Sequence, residues 1–263
     1  MKRLISIVLL SVTIFPVLAV TKKTVKKAAP KTQKIKKMKV DIWSDVMCPF
    51  CYIGKRQFEK ALSHFPYKDS VEIVWHSFQL DPEMKSDGSK DVYTYLAERK
   101  GQTRDWSVKM HENVVNMAKN EGLHYRFDIA KVANSFDAHR LGHFAKSKNK
   151  GNEMEEALFK AYFTEGAMIS DHHTLAKLAS TIGLDSNEVL KMLATDQFTK
   201  EVHADIDTAE KIGVSGVPFF VFDNKYAVSG AQGSETFSKA LNHLYQEIQA
   251  NQKTVCKPGE ECK

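Results

Sequence analysis

From about Asp91 to Thr195 the chain carries helix signals almost without a break, and on both sides of that run it carries strands. This bracketing limits the fold more than any other feature, because strands separated in sequence must still meet in one sheet. On the near side, Val40 to Ser44 reads as a strand and Tyr52 to Phe65 as a helix, with Ile53, Phe58, Ala61, Leu62 and Phe65 at helical spacing. Val71 to Phe78 alternates as a strand does and ends at the turn-like Asp81-Pro82. On the far side come a helix over about Gln197–Ile212, then Phe219–Phe222 and Tyr226–Ser229 as a hairpin around Asp223-Asn224-Lys225. A last helix, about Ser234–Gln249, puts Phe237, Leu241, Leu244, Tyr245 and Ile248 on one face. Within the helical run, Gly101, Gly122, Gly151, Gly166 and Gly183 follow periodic segments as C-terminal caps, and Asp171 and Asp185 read as N-caps. Asp185-Ser186-Asn187-Glu188 has the layout of a capping box. The expected architecture is α/β, in the order β-α-β, all-helical insertion, α-β-β-α, with segments 39–82, 83–196 and 197–250.

The two ends read differently. Lys2-Arg3, the apolar run Leu4 to Leu18 and the small-residue site Val17-Leu18-Ala19 make residues 1–19 a signal peptide, exporting the protein to the periplasm or medium. An uncleaved N-terminal anchor is the alternative, although the run is short against the about 20 residues that span a bilayer. Residues 20–38 form a Lys-rich, solvated linker, a spacer or a segment attracted electrostatically to an anionic envelope surface. Residues 1–39 hold eleven basic side chains and no acids, so of the formal +6 a charge of −5 is left for residues 40–263. That balance excludes a basic nucleic-acid-binding domain. With 263 residues, 43% of them hydrophobic, the chain is long enough for one sizeable core and a small subdomain.

Chemistry concentrates at Cys48-Pro49-Phe50-Cys51, between the first strand and the first helix. A sulfur there lies over unpaired N–H groups and the positive end of the helix dipole, which favour a thiolate, and the second cysteine is one turn on. Pro49 suits the first helical turn. The pair alone is compatible with redox chemistry, half a zinc site or a structural disulfide. Asp45, three residues earlier, reads as a solvated loop or cap carboxylate, or as a proton acceptor for Cys51. Cys256 and Cys262, in the tail 251–263, read as a local disulfide, a second redox pair, or ligands of a metal shared by all four cysteines. His139 and His143 have metal-binding spacing but lack the H-E-x-x-H pattern, so packing is their default. His172-His173 reads as surface, and Trp106, Met110 and Met117 read as helix core. No metal site and no cofactor is expected.

Gly216-Val217-Pro218 immediately before the hairpin completes a pattern. C-P-x-C after the first strand and G-V-P before a late hairpin resemble the thioredoxin superfamily. Ser44 to Lys55, Asn134 to Leu141, Gly216 to Val221 and Val228 to Gln232 resemble the FrnE-like branch of the DsbA family, over roughly residues 38–247. The resemblance implies a thioredoxin fold with the insertion roofing the dithiol, a cis Pro218 facing Cys48, Cys48 exposed and Cys51 covered. It also implies that the Val217 backbone pairs with an extended substrate segment and that Asn134 and His139 line the substrate groove. The expected activity is that of an exported thiol–disulfide oxidoreductase or isomerase, Cys48 attacking and Cys51 resolving. Its partners would be protein thiols or disulfides and a separate redox partner. Alternatives are a kappa-type glutathione transferase or isomerase, against which the cysteine rather than serine at position 48 argues, and a non-catalytic zinc-binding or chaperone-like protein. Phe50 cannot donate a hydrogen bond to the Cys48 thiolate, so the pair should be less oxidising than a DsbA with histidine there.

Overall fold

The structure, a computed structural model, describes residues 37–255; the leader, all but the last residues of the linker, and Cys256 and Cys262 lie outside them. The outer segments do close into one sheet. Strand β1 (Met38–Ser44) lies parallel to β2 (Val71–Ser77) and antiparallel to β5 (Phe219–Phe222), which pairs in turn with β6 (Tyr226–Ser229). The order β2-β1-β5-β6 follows. The three-residue β5–β6 turn, Asp223 to Lys225, has positive φ at both Asp223 and Asn224, a conformation that Asp and Asn tolerate.

Helices α1 (Pro49–Ser63) and α9 (Ser234–Val255) cover one face. Phe58, Phe220, Phe222 and Phe237 meet there with ring centroids 4.5–6.3 Å apart, beside Val40, Ile42, Leu241 and Leu244. On the other face Trp43 and Phe219 pack on Ala209 of α8 (Thr199–Lys211).

The insertion runs between β2 and α8. It comprises β3 (Asp87–Asp91), α2 (Val92–Lys100), α3 (Arg104–Asn120), β4 (Lys131–Val132), α4 (Phe136–Ser147), α5 (Gly151–Phe163), α6 (His172–Thr181) and α7 (Ser186–Leu193). Its caps are those the sequence implies: Asp171 accepts from the Thr174 N–H, and Asp185 from those of Asn187 and Glu188. Two details differ. A short antiparallel ladder, β3–β4, ties down the otherwise helical insertion; β4 is too short for alternation to reveal it. Gly151 opens α5 rather than closing α4, and the left-handed residue between them is Asn149, whose side chain tolerates that conformation. Gly166, by contrast, needs both its positive φ and its missing side chain, since a Cβ there would sit 2.5 Å from the Ile129 carbonyl oxygen. Met110 and Met117 are exposed, not core; Val114, on the same face of α3, points into the insertion.

Candidate active site

Cys48 is the N-cap residue of α1, with extended backbone, and Pro49 takes the first helical position. The Cys51 N–H donates to the Cys48 carbonyl at 3.0 Å, which fixes the two sulfurs on one turn as free thiols. The Val217–Pro218 bond is cis, and the Cys48 thiol donates to the Val217 carbonyl at 3.4 Å. Helix α1 approaches this loop through Gly54, where a Cβ would lie 2.9 Å from Pro218 Cγ. A glycine inside a helix costs about 1 kcal/mol against alanine; that cost was a readable sign of a close approach, and Gly54 is a site residue the sequence reading missed.

Cys48 is not exposed. It is 3% accessible and Cys51 1%, because the dithiol belongs to the core of the insertion rather than to that of the sheet. Tyr125 from the insertion donates its hydroxyl to the Pro49 carbonyl at 2.7 Å and lies in a ring stack with Tyr52 and Phe163. The roof is fixed to α1 by ions. Glu156 on α5 accepts from the Tyr52 hydroxyl and from Lys55 Nζ, each at 2.6 Å, and from Arg56, while Lys55 also pairs with Glu59. Burial works against the Glu156 charge, but Arg56 and Lys55 outweigh it and hold the carboxyl at about 2.

Above Cys48 a largely apolar cavity of about 340 Å³ opens, lined by Met47, Cys48, Phe50, Leu80, Met84 and Met110. Phe50, Leu80 and Met110 are each more than a third exposed and form its apolar rim. A thiol at its floor can meet a sulfur carried by a flexible apolar segment, with the Val217 backbone beside it.

Below the dithiol the surroundings are polar. Asp45 is not solvated but wholly buried, accepting from the Leu80 N–H at 2.8 Å and lying 3.4 Å from His139 Nε2. It thus joins the β1–α1 loop to the loop after β2. Ser44 donates to Glu155 Oε1 at 3.0 Å. Burial raises the Cys51 thiol well above its ordinary value, and its hydrogen bond to Cys48 adds to this, so Cys51 holds its proton. Burial also opposes a charge on His139, but Asp45 overrides it and raises the imidazole; Glu155 is raised by burial in spite of His139.

Neither Asn134 nor His139 lines the cavity over Cys48. Asn134 donates to the Pro82 and Met84 carbonyls and accepts from Gln79 and the Phe136 N–H, clamping the loop after β2 onto α4. His143 contacts Asp205 and Ser77, not His139, and no cluster of metal-ligating side chains occurs among the described residues. His172 is half-buried and pairs with Asp137 at 2.8 Å, while His173 is exposed.

The family model of the DSBA-like thioredoxin domain matches residues 39–242. The chain belongs to the DsbA family. It is 30% identical over 211 residues to the uncharacterised protein YwbO of Bacillus subtilis (strain 168), covering 77% of this chain and 95% of that one. A crystal structure of a probable DsbA oxidoreductase from Streptomyces coelicolor is 38% identical, with TM-score 0.76 over 86% of this chain and 94% of the other. The cytosolic disulfide reductase DsbM of Pseudomonas aeruginosa, 13% identical, shares the fold, with TM-score 0.57 over 79–80% of this chain and 99% of that one. DsbA-family proteins are thiol–disulfide oxidoreductases that act on protein thiols and disulfides, and the two cysteines of this chain lie side by side where that chemistry needs them.

Proposed function

We propose that the protein is an exported thiol–disulfide oxidoreductase of protein substrates, in which Cys48 attacks and Cys51 resolves. The observation that carries this reading is the position of Cys48, on the floor of an apolar cavity and hydrogen-bonded to the carbonyl that precedes cis Pro218. An incoming client segment lies against the Val217 backbone as an added strand, held mainly by main-chain hydrogen bonds, and its apolar side chains enter between Phe50, Leu80 and Met110. Such binding suits unfolded or unfinished clients of many sequences. Export rests on the signal-peptide layout of residues 1–19, and the motifs around Ser44–Lys55 and Asn134–Leu141 speak for the FrnE-like branch.

The test is reduction of insulin disulfides by the folded protein. Cys48→Ser is expected to abolish turnover, and Cys51→Ala to accumulate a mixed disulfide at Cys48, visible by intact mass. A Cys48→Ser protein that still turns over insulin refutes the assignment, and one that instead retains glutathione conjugation establishes the transferase alternative. N-terminal sequencing of protein recovered from outside the cytoplasm checks export, with a start after Ala19 expected.

A further inference from the structure

Tyr125 lies in the segment between α3 and β4, is only 5% exposed, and packs in the same core as Cys48 and Cys51. Its ring is fixed on two sides, stacked on Phe163 with centroids 4.7 Å apart and edge-on to Phe127 at 5.5 Å. The next residue, Arg126, donates its N–H to the Phe163 carbonyl at 2.7 Å and ties the segment to the end of α5. Packing alone would accept a phenylalanine here, so the hydroxyl is the part that burial does not explain. That hydroxyl donates to the Pro49 carbonyl at 2.7 Å.

The Pro49 carbonyl and the Phe50 N–H are the two ends of one peptide group. At the start of α1, Pro49 has no N–H, and the Cys51 N–H is turned to the Cys48 carbonyl at 3.0 Å. That leaves the backbone N–H of Phe50, which has no hydrogen-bond partner among the described residues. Cys48 occupies the N-cap with φ −86° and ψ 113°, the geometry in which a cap side chain accepts from the N–H two or three residues on. In the thiol form Cys48 instead donates to the Val217 carbonyl. Once its proton passes to solvent that bond is gone, and the sulfide left behind is an acceptor at an unpaired helix terminus.

We propose that Tyr125 is a positioning residue for the Cys48 thiolate: by donating to the Pro49 carbonyl it polarises the Pro49–Phe50 peptide and strengthens the Phe50 N–H as donor to the sulfur. The inference rests on the thiol–disulfide function proposed above, in which that thiolate attacks. Hydrogen bonds in series strengthen one another by about 10–30% per bond. Burial raises the Tyr125 hydroxyl above its ordinary value, and charge on Cys48 and Cys51 adds to this, so Tyr125 keeps its proton and stays a donor when the sulfur is charged. The other charged or titrating groups around Cys48 are Cys51 on α1, Asp45 in the β1–α1 loop, and Asp81, Arg99, Lys100 and His111 across the cavity. Among the described residues, Tyr125 is the one whose side chain holds the Pro49 carbonyl. The insertion is thus more than a roof, since it reaches the reacting sulfur through a single peptide group.

Tyr125→Phe keeps the ring and removes the donor. The rate of Cys48 alkylation by iodoacetamide, followed by intact mass across pH, reports the thiolate fraction, and equilibration in glutathione buffers reports the potential. Tyr125→Phe is expected to lower the thiolate fraction about two- to fourfold on the rising limb, the scale of such a gain on one hydrogen bond to a charged group. That fold-change moves the alkylation profile up by about 0.3–0.6 pH unit and the pair by about 9–18 mV toward reducing, at about 29.6 mV per tenfold. Tyr52→Phe, from the same ring stack, loses a hydroxyl that serves Glu156 and should move neither reading. An unmoved profile and potential in Tyr125→Phe overturn the inference. Equal shifts in Tyr52→Phe also overturn it, because they mark a general effect of the stack. Should Tyr125→Phe not fold by near-UV circular dichroism, 3-fluorotyrosine placed at position 125 decides: a stronger donor of nearly the same shape should move the profile to lower pH, and an unmoved profile overturns the inference. Both readings are taken without a client, so a wild-type protein that turns over no insulin refutes the proposed function whatever they show.

Discussion

Phe50→His is the sharpest test of how the surroundings of Cys48 set its poise. Phe50 lies at the mouth of the apolar cavity, 36% exposed, and brings only carbon toward the Cys48 sulfur. The Cys48 side chain donates its own hydrogen bond to the Val217 carbonyl, and that oxygen has nothing to give a thiolate. A histidine in the first turn of α1 adds an N–H donor. A hydrogen bond to a charged acceptor contributes about 1.5–3 kcal/mol, and about 1.4 kcal/mol corresponds to 30 mV for this two-electron couple, which gives about 30–60 mV. With a third of the side chain in water, the lower end is the better figure, about 30 mV toward a more oxidising pair. Equilibration in glutathione buffers, acid quench and thiol alkylation measure the potential. Phe50→Leu serves as the control and should leave it in place. A shift below about 10 mV in Phe50→His, or one toward a more reducing pair, refutes the reasoning.

Glu156→Gln should loosen the roof. A carboxyl at about 2 against an ordinary 4.5 corresponds to about 3 kcal/mol, halved to roughly 1.5 kcal/mol because a third of the side chain is exposed. Its folded value is depressed, so the stability is present above pH 4.5 and lost as pH falls through about 2; urea titrations of variant and wild type should converge over that window. Gly54→Ala should lower both stability and insulin turnover, since the new methyl must displace Pro218, and overpacking of this kind costs about 1–3 kcal/mol; a more stable protein with full turnover contradicts the close approach. His76 stands between Asp205 and Asp41 at 2.6 and 2.7 Å, and these hydrogen bonds overcome burial to raise its imidazole. Its contribution is complete below pH 6.5 and fades as pH rises through the folded value, so the gap in Tm between wild type and His76→Gln should shrink above pH 6.5.

The four strands of the main sheet, the hairpin, the aspartate caps and the dithiol were legible because each depends on local backbone chemistry: alternation, a turn residue, a side chain that reaches its own helix end. What escaped depends on which faces meet. Met110 and Met117 share a face of α3 with Val114, and periodicity marks the shared face without saying how far it is covered. Asp45 looked solvated because nothing local shows that the loop at Leu80 and α4 close over it. Asn134 and His139 stand in a motif that can be read, yet their contacts to Pro82, Met84 and Asp45 are tertiary. Glu155 did leave a trace, since it sits on the stripe of α5 that continues through Phe159 and Tyr162, an acid where an apolar side chain is expected.

The pairing of β1 with β5 also has a bearing on how the chain is made. Val40 waits for Phe222 as its antiparallel neighbour, and the whole insertion must be synthesised between them. At about 5–20 residues per second, roughly 10–40 s separate the emergence of the two strands from a ribosome. During that interval Cys48 and Cys51 exist without the Val217 carbonyl and without β5, as a bare dithiol on a nascent chain. Under the proposed function, a protein that handles the disulfides of unfinished clients would itself pass through the same unfinished condition, and export before folding would place that stage where its own sulfurs meet the oxidants intended for others.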